Sequence, residues 1–200
     1  MTSVRKVVVF FDICTATTLL EDLLRTENEG RWLGVLIGLK QFLVDEREQA
    51  DFEIYKFLGD GWVLLFDLDT IAGSDLLELL ARLCSEYKRL FGKNVASVLS
   101  TRDYLVGLTY GVDVGTLLKF VMNQRTEYIG RPLNVASRLQ DAIRQRDRAP
   151  NGKLLISNNA FAELGLSTSS ARFPTSRVER ELRNISGGER FQARKIVVSR

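Results

Sequence analysis

Apolar and polar positions along the chain change period several times, and each change marks an element. "KVVVFFDI" (6–13) is a continuous β-branched and aromatic run, the pattern of a strand buried on both faces. From Thr17 to about Glu48 the period becomes helical. Leu19, Leu20, Leu23 and Leu24 make one stripe, and Trp32, Leu33, Leu36, Ile37, Phe42 and Leu43 continue it after a polar stretch. "DFEIYKFL" and "WVLLFDL" predict two strands joined at Gly59-Asp60-Gly61. "SDLLELLARLCSEYKRLF" (74–91) predicts a second amphipathic helix with Ser74 as its N-cap. "YLVGLTYGVDVG" and "LLKFVMNQ" predict a strand pair turning at 113–116. A third helix spans 131–146, with Pro132 in its first turn. "GKLLISNNAFAELG" predicts a short strand and helix. "RVERELRNI" and "RFQARKIVV" flank Gly187-Gly188 as a last hairpin, and "RDRAPNG" (146–152) predicts a mobile surface loop.

The order predicts an α+β fold: a ferredoxin-like βαββαβ core with additions, one sheet and its helices, in one domain over 1–200. Gly30, Gly34 and Gly38 recur every fourth residue, which reads as a helix that approaches a neighbour closely.

Composition narrows the chemistry. There is no histidine, which removes His-activated nucleophiles, His general bases and His-ligated zinc. Cys14 and Cys84 are the only cysteines, too few for a disulfide framework or a four-cysteine metal site, and they point to a reduced, cytoplasmic setting. No stretch reaches the roughly 20 apolar residues of a membrane span. "LGVLIGLKQFLV" comes closest, and Lys40 interrupts it. The net charge of +3 permits a nucleotide or nucleic-acid partner without requiring one.

Two carboxylates stand out. Asp12 ends a very apolar strand, and Asp60 sits at the tip of an apolar hairpin. Ionised carboxylates rarely occupy such positions without a partner. If their strands are neighbours, both emerge at one sheet edge, an oxygen set suited to Mg²⁺ with substrate phosphates. The plainer alternative is that Asp60 shapes a turn and Asp12 caps a helix. After Asp12, "ICTATTLLE" leads into a helix N-terminus whose free N–H groups can cradle phosphate. Asn134 and Arg138 share one face of the third helix, a pairing that can hold a hydroxyl and a phosphate or simply face solvent. Lys56 lies within an apolar strand, either snorkelling outward or aimed at a ligand.

Taken together, "VVVFFDICTATTLLE", "IYKFLGDGWVLLF" and "YIGRPLNVASRLQ" resemble, in order and spacing, the three motifs of the class III nucleotidyl cyclase domain. "GKLLISNNAFAEL" and "ELRNISGGERFQARKI" resemble its C-terminal part. The resemblance implies two Mg²⁺ or Mn²⁺ ions held by Asp12 and Asp60 with Ile13 beside them. It implies base contacts from Lys56 and Glu127, ribose orientation by Asn134 and charge stabilisation at the α-phosphate by Arg138. Thr15 and Thr17 fall in the phosphate cradle, and Arg183 falls near a position that binds the terminal phosphates. It also implies a head-to-tail homodimer with composite interface sites, a nucleoside triphosphate substrate, and neither a nucleic-acid nor a membrane partner.

Two departures bear on the pocket. Thr15-Ala16 replaces the family's usual Gly-Phe, and Arg131-Pro132 replaces a frequent Asp. A stand-alone chain with these changes resembles the pyrimidine cyclases of bacterial antiphage (Pycsar) signalling. If Arg131 pairs with Glu127, the pocket narrows against purines. Lys56 at O4 and Glu127 at N3–H would then favour UTP and a cyclic UMP product, with ATP and cyclic AMP as the alternative. Two readings outside catalysis are a nucleotide-binding module of the same fold and an RNA-binding module with Tyr55, Phe57 and Phe66 displayed on its sheet.

Overall fold

The computed structural model describes residues 1–100 and 104–198, with the side chains of 144 and 145 left aside. Within them the chain runs β1 (Thr2–Ile13), α1 (Ala16–Arg25), α2 (Glu29–Arg47), β2 (Phe52–Phe57), β3 (Gly61–Asp67), α3 (Gly73–Asn94) and β4 (Leu108–Met122). Then follow β5 (Arg125–Ile129), α4 (Arg131–Arg146), β6 (Lys153–Ser157), α5 (Asn158–Glu163), β7 (Thr175–Arg180) and β8 (Phe191–Val197). The first seven elements give the expected βαββαβ core, with strands in the order β2-β3-β1-β4. The same sheet continues from β4 through β6 and β8 to β7, and β5 pairs with β4, so it holds eight strands among the described residues.

Both faces of β1 are covered, which is why its sequence is a continuous apolar run. Val7, Val9, Phe11 and Ile13 point into the larger core with α1, α2, α3 and α5. Val8 points the other way, against Val63, Leu65, Leu117, Tyr128 and Ala136. Helix α4 covers this second face and extends onto β6 and β8 through Val135, Leu139, Leu155 and Ala193. None of the described helices is long and apolar enough to cross a membrane.

Several expected boundaries differ. The helix predicted over 17–48 is two helices. At the break Glu27 is left-handed (φ 54°) and the Asn28 N–H donates to the Leu23 carbonyl at 2.8 Å, the closing bond of a Schellman cap. The polar stretch between the two stripes has no apolar side chain to hold a straight continuation against the core. Helix α3 begins one residue before Ser74. Its N-cap is Ala72, and the Ser74 hydroxyl is spent on Asp75.

The turn expected at 113–116 does not exist: β4 runs unbroken for 15 residues. The hairpin lies further on, at Asn123-Gln124, both in the left-handed region (φ 50° and 63°). Asp113 is a buried strand residue that accepts a 2.5 Å bond from the Ser157 hydroxyl. The glycines that looked like turn residues serve packing. A Cβ on Gly111 would lie 1.9 Å from the Ala136 carbonyl oxygen, and one on Gly115 would lie 2.9 Å from the Pro132 ring, so both admit α4. The last pair, β7 and β8, is antiparallel as expected but is joined through residues 181–190, of which Gly187 is one left-handed position. In the Gly30/Gly34/Gly38 repeat, a Cβ on Gly38 would come within 2.7 Å of Leu90 of α3, whereas Gly30 faces nothing.

These contacts predict opposite outcomes for two glycines. Gly111→Ala should destabilise the fold by on the order of 3 kcal/mol, because α4 must move away. Gly92→Ala, in α3 with nothing within 4 Å of the added methyl, should stabilise by about 0.5–1 kcal/mol through helix propensity. Urea unfolding of both variants measures the difference.

Candidate active site

The two aspartates meet because the β3 backbone comes hard against β1. Asp12 is in register with Gly61 on one side and Thr109 on the other. A Cβ on Gly61 would lie 1.9 Å from the Phe11 carbonyl oxygen, so only glycine lets the hairpin tip close this far. The Ile13 N–H donates to the Asp60 carbonyl at 3.0 Å, which fixes the tip against the end of β1. Gly59, left-handed at φ 98°, turns the chain. Asp12 and Asp60 therefore lie at the same end of two neighbouring strands, both half-buried. Burial pushes the Asp60 carboxyl above its ordinary value. Sequence reading missed Gln140. Its buried amide donates to Thr109 Oγ1 at 2.8 Å and to Asp12 Oδ2 at 3.4 Å, orienting the first carboxylate.

This donor set fits a hard divalent cation. Among the described residues no group of three or more His, Cys, Asp or Glu could hold a metal alone. Two oxygen-bearing side chains at the same strand end suit Mg²⁺ or Mn²⁺ with the remaining positions left to water and phosphate.

Beside Asp60 opens a cleft of about 390 Å³, lined by Cys14, the start of α1, Leu105, Asp147, Arg148 and Pro150. Thr15 is left-handed (φ 57°), and its hydroxyl faces the carbonyls of Cys14 and Leu105 at 2.7 and 3.3 Å. Its hydroxyl proton is thus used to shape the turn. The neighbouring Thr17 lines the cleft and is exposed. No acidic residue lies in the first turn of α1 itself, whose positive dipole end opens on the cleft.

Lys56 and Glu127 form a 2.8 Å ion pair. A register shift between Ile54 and Lys56 bulges β2 at Tyr55, and the Tyr55 hydroxyl donates to Glu127 at 2.6 Å while accepting the Tyr128 N–H at 3.0 Å. The two tyrosine rings meet edge to face at 5.1 Å. The Lys56 ammonium and the Tyr55 hydroxyl hold the Glu127 carboxyl below its ordinary value. No sequence signal pointed to Tyr55 as the link between these elements. Arg131 does not pair with Glu127. Its guanidinium donates to the Ser186 carbonyl at 3.1 Å, so the expected narrowing of the pocket by Arg131 is absent. Pro132 lies in the first turn of α4.

Asn134 and Arg138 are exposed on α4, and among the described residues Arg138 pairs with Asp141, at 3.4 Å. At about 100° per residue, Arg138 and Gln140 project roughly 200° apart. The face that touches Asp12 therefore carries Gln140, and the Asn134/Arg138 stripe faces away from Asp12. Arg183 is exposed on the 181–190 segment, outside the lining of the Asp60 cleft.

Comparison with family models gives no match, and comparison with curated sequences gives none either. Solved structures do match. The adenylyl cyclase CyaB from P. aeruginosa superposes with a TM-score of 0.71 at 23% identity, over 100% of this chain and 98% of that one. The guanylyl cyclase Cya2 superposes at 0.69 with 16% identity, over 98% and 92%. A bacterial light-regulated adenylyl cyclase gives 0.66 and 18% over 98% of this chain, which spans about half (52%) of that longer one. The chain has the fold of the class III nucleotidyl cyclase catalytic domain.

Burial gives a direct stability prediction. The raised pKa means that ionised Asp60 costs stability above that pKa, and the cost is absent below the ordinary value of 3.8. Asp60→Asn should therefore raise the melting temperature of the metal-free protein at pH 7, with the gain shrinking as pH falls toward 3.8. Thermal unfolding in EDTA across that range measures it, and an unchanged or lower melting temperature at pH 7 would contradict the burial argument.

Proposed function

We propose that this chain is a nucleotidyl cyclase that converts a nucleoside triphosphate to its 3′,5′-cyclic monophosphate and pyrophosphate. The observation that carries the reading is the division of its polar groups. Asp12 and Asp60 converge at the same end of two neighbouring strands, while Asn134 and Arg138 share the outer face of α4. Two copies arranged head to tail would complete two sites, each taking carboxylates from one chain and the α4 stripe from the other.

In such a site Asp12 and Asp60 hold Mg²⁺ or Mn²⁺, with the Ile13 backbone beside them. The bound cation supplies charge neutralisation and a lowered pKa for the attacking 3′-hydroxyl. Asn134 of the second copy orients the ribose. Arg138 meets negative charge growing on the α-phosphate, and its present contact, Asp141, is exposed and weak enough to exchange. Positioning and charge do the rest, so the absence of histidine is no obstacle.

Lys56 and Glu127 present a donor beside an acceptor, which adenine, cytosine and uracil can each match. With Arg131 turned to Ser186, no steric argument separates UTP from ATP. UTP rests on the pairing of Lys56 with O4 and Glu127 with N3–H, and ATP is its equal in that pairing. The antiphage role rests on the sequence departures at 15–16 and 131–132 alone.

Incubation with all four triphosphates and Mn²⁺, followed by mass spectrometry of the products, should yield a cyclic mononucleotide and pyrophosphate, and EDTA should abolish both. Cyclic UMP as the main product would bear out the uracil reading and cyclic AMP the adenine one. Binding without turnover would leave a nucleotide-binding module.

Arg138→Ala should lower turnover by about 10²–10³-fold, and Asp12→Ala should be inactive. An equal mixture of the two variants, once subunits have exchanged, should recover roughly a quarter of wild-type activity, since half the dimers hold one intact site. Mixtures proven to exchange yet still inactive would rule out composite sites.

A further inference from the structure

The cleft beside Asp60 holds a cation that neither the cyclase motifs nor the sequence reading assigned. We propose that Arg148 binds the outer phosphates of the substrate, supplied by the same chain as Asp12 and Asp60. The assignment rests on the cyclase reading for the identity of the substrate, and its geometry stands apart from it.

The segment carrying Arg148 was expected to be mobile, yet it is tied down on both sides. Asp147 accepts from Lys153 at 2.6 Å and from Lys195 at 3.4 Å. The Gly152 N–H donates to the Leu108 carbonyl at 2.7 Å, and Asn151 Nδ2 donates to the Val106 carbonyl at 3.3 Å. The Cys14 N–H reaches the Gly107 carbonyl at 3.0 Å. Three segments thus converge: the end of β1 with the start of α1, the approach to β4, and the approach to β6. Among the described residues Arg148 is the one cationic side chain lining the cleft they form.

Its guanidinium has no hydrogen bond or ion pair among the described residues, whereas Arg5, Arg25, Arg82, Arg89 and Arg172 are each paired with a carboxylate. The neighbouring Asp147 cannot neutralise it, because two lysines already occupy that carboxylate. A polyphosphate entering the cleft meets the Asp60 carboxylate and needs positive charge opposite it. An arginine fork matches phosphate oxygens in geometry as well as charge.

Titration calorimetry with inorganic tripolyphosphate in Mn²⁺ tests this without any turnover, on the full chain. Arg148→Ala should weaken tripolyphosphate binding about tenfold and reduce its salt dependence, Arg148→Lys should recover part of the loss, and Mn²⁺ alone should bind all three proteins equally. Equal tripolyphosphate affinities for wild type and Arg148→Ala, no tripolyphosphate binding by wild type, or parallel loss of Mn²⁺ binding would each overturn the assignment. A wild type that binds tripolyphosphate through Arg148 but forms no cyclic nucleotide would defeat the cyclase reading and leave this one standing.

Discussion

Everything at the site depends on one backbone contact, the approach of Gly61 to the Phe11 carbonyl. Without it the hairpin tip cannot seat on the end of β1, and Asp60 cannot stand beside Asp12. The apolar ladder behind the contact, from Lys6↔Asp67 to Asp12↔Gly61, holds the two strands in a single register. A slip of one residue would exchange the side chains packed against the two covered faces of β3, so core packing enforces the position of the carboxylates. The charge placed there is itself unfavourable in the folded chain. The core, not the site, stabilises the arrangement.

The second dependence is the packing of α4 across β4. Gly111 and Gly115 let the helix lie close, and that contact sets its rotation. Gln140 then reaches Asp12, and Asn134 and Arg138 look outward. Helix rotation fixed by two small residues is therefore what divides the polar groups between an inner and an outer face. Tyr55 plays the matching part on the other side, joining β2 to β5 so that Lys56 and Glu127 form one unit although 71 positions separate them.

Much of this was legible in the sequence, and the exceptions share a cause. The βαββαβ order, the Asp60 hairpin and α4 follow from local periodicity and turn chemistry. The strand β4 was misread because Gly111, Asp113 and Gly115 carry turn chemistry locally, while the reason for them is a helix from elsewhere in the chain. The true turn at Asn123-Gln124 lacks glycine and so gave little signal. The pairing of Arg131 with Glu127 was inferred from proximity along the chain, but β5 and α4 diverge at Gly130 and send the two side chains to different partners. Gln140, Tyr55 and Arg148 were invisible for the same reason: each acts through a neighbour distant in sequence.

The bulge at Tyr55 has a consequence beyond the site. Strand β2 is an edge of the sheet, and its outer row of N–H and C=O groups offers a template on which another chain could pair. The extra residue breaks the regular spacing of that row and twists the strand. The irregularity that aims Tyr55 and Lys56 at Glu127 thereby also guards the edge against aggregation. Straightening β2 to gain a more regular ladder would expose the molecule to edge-on association.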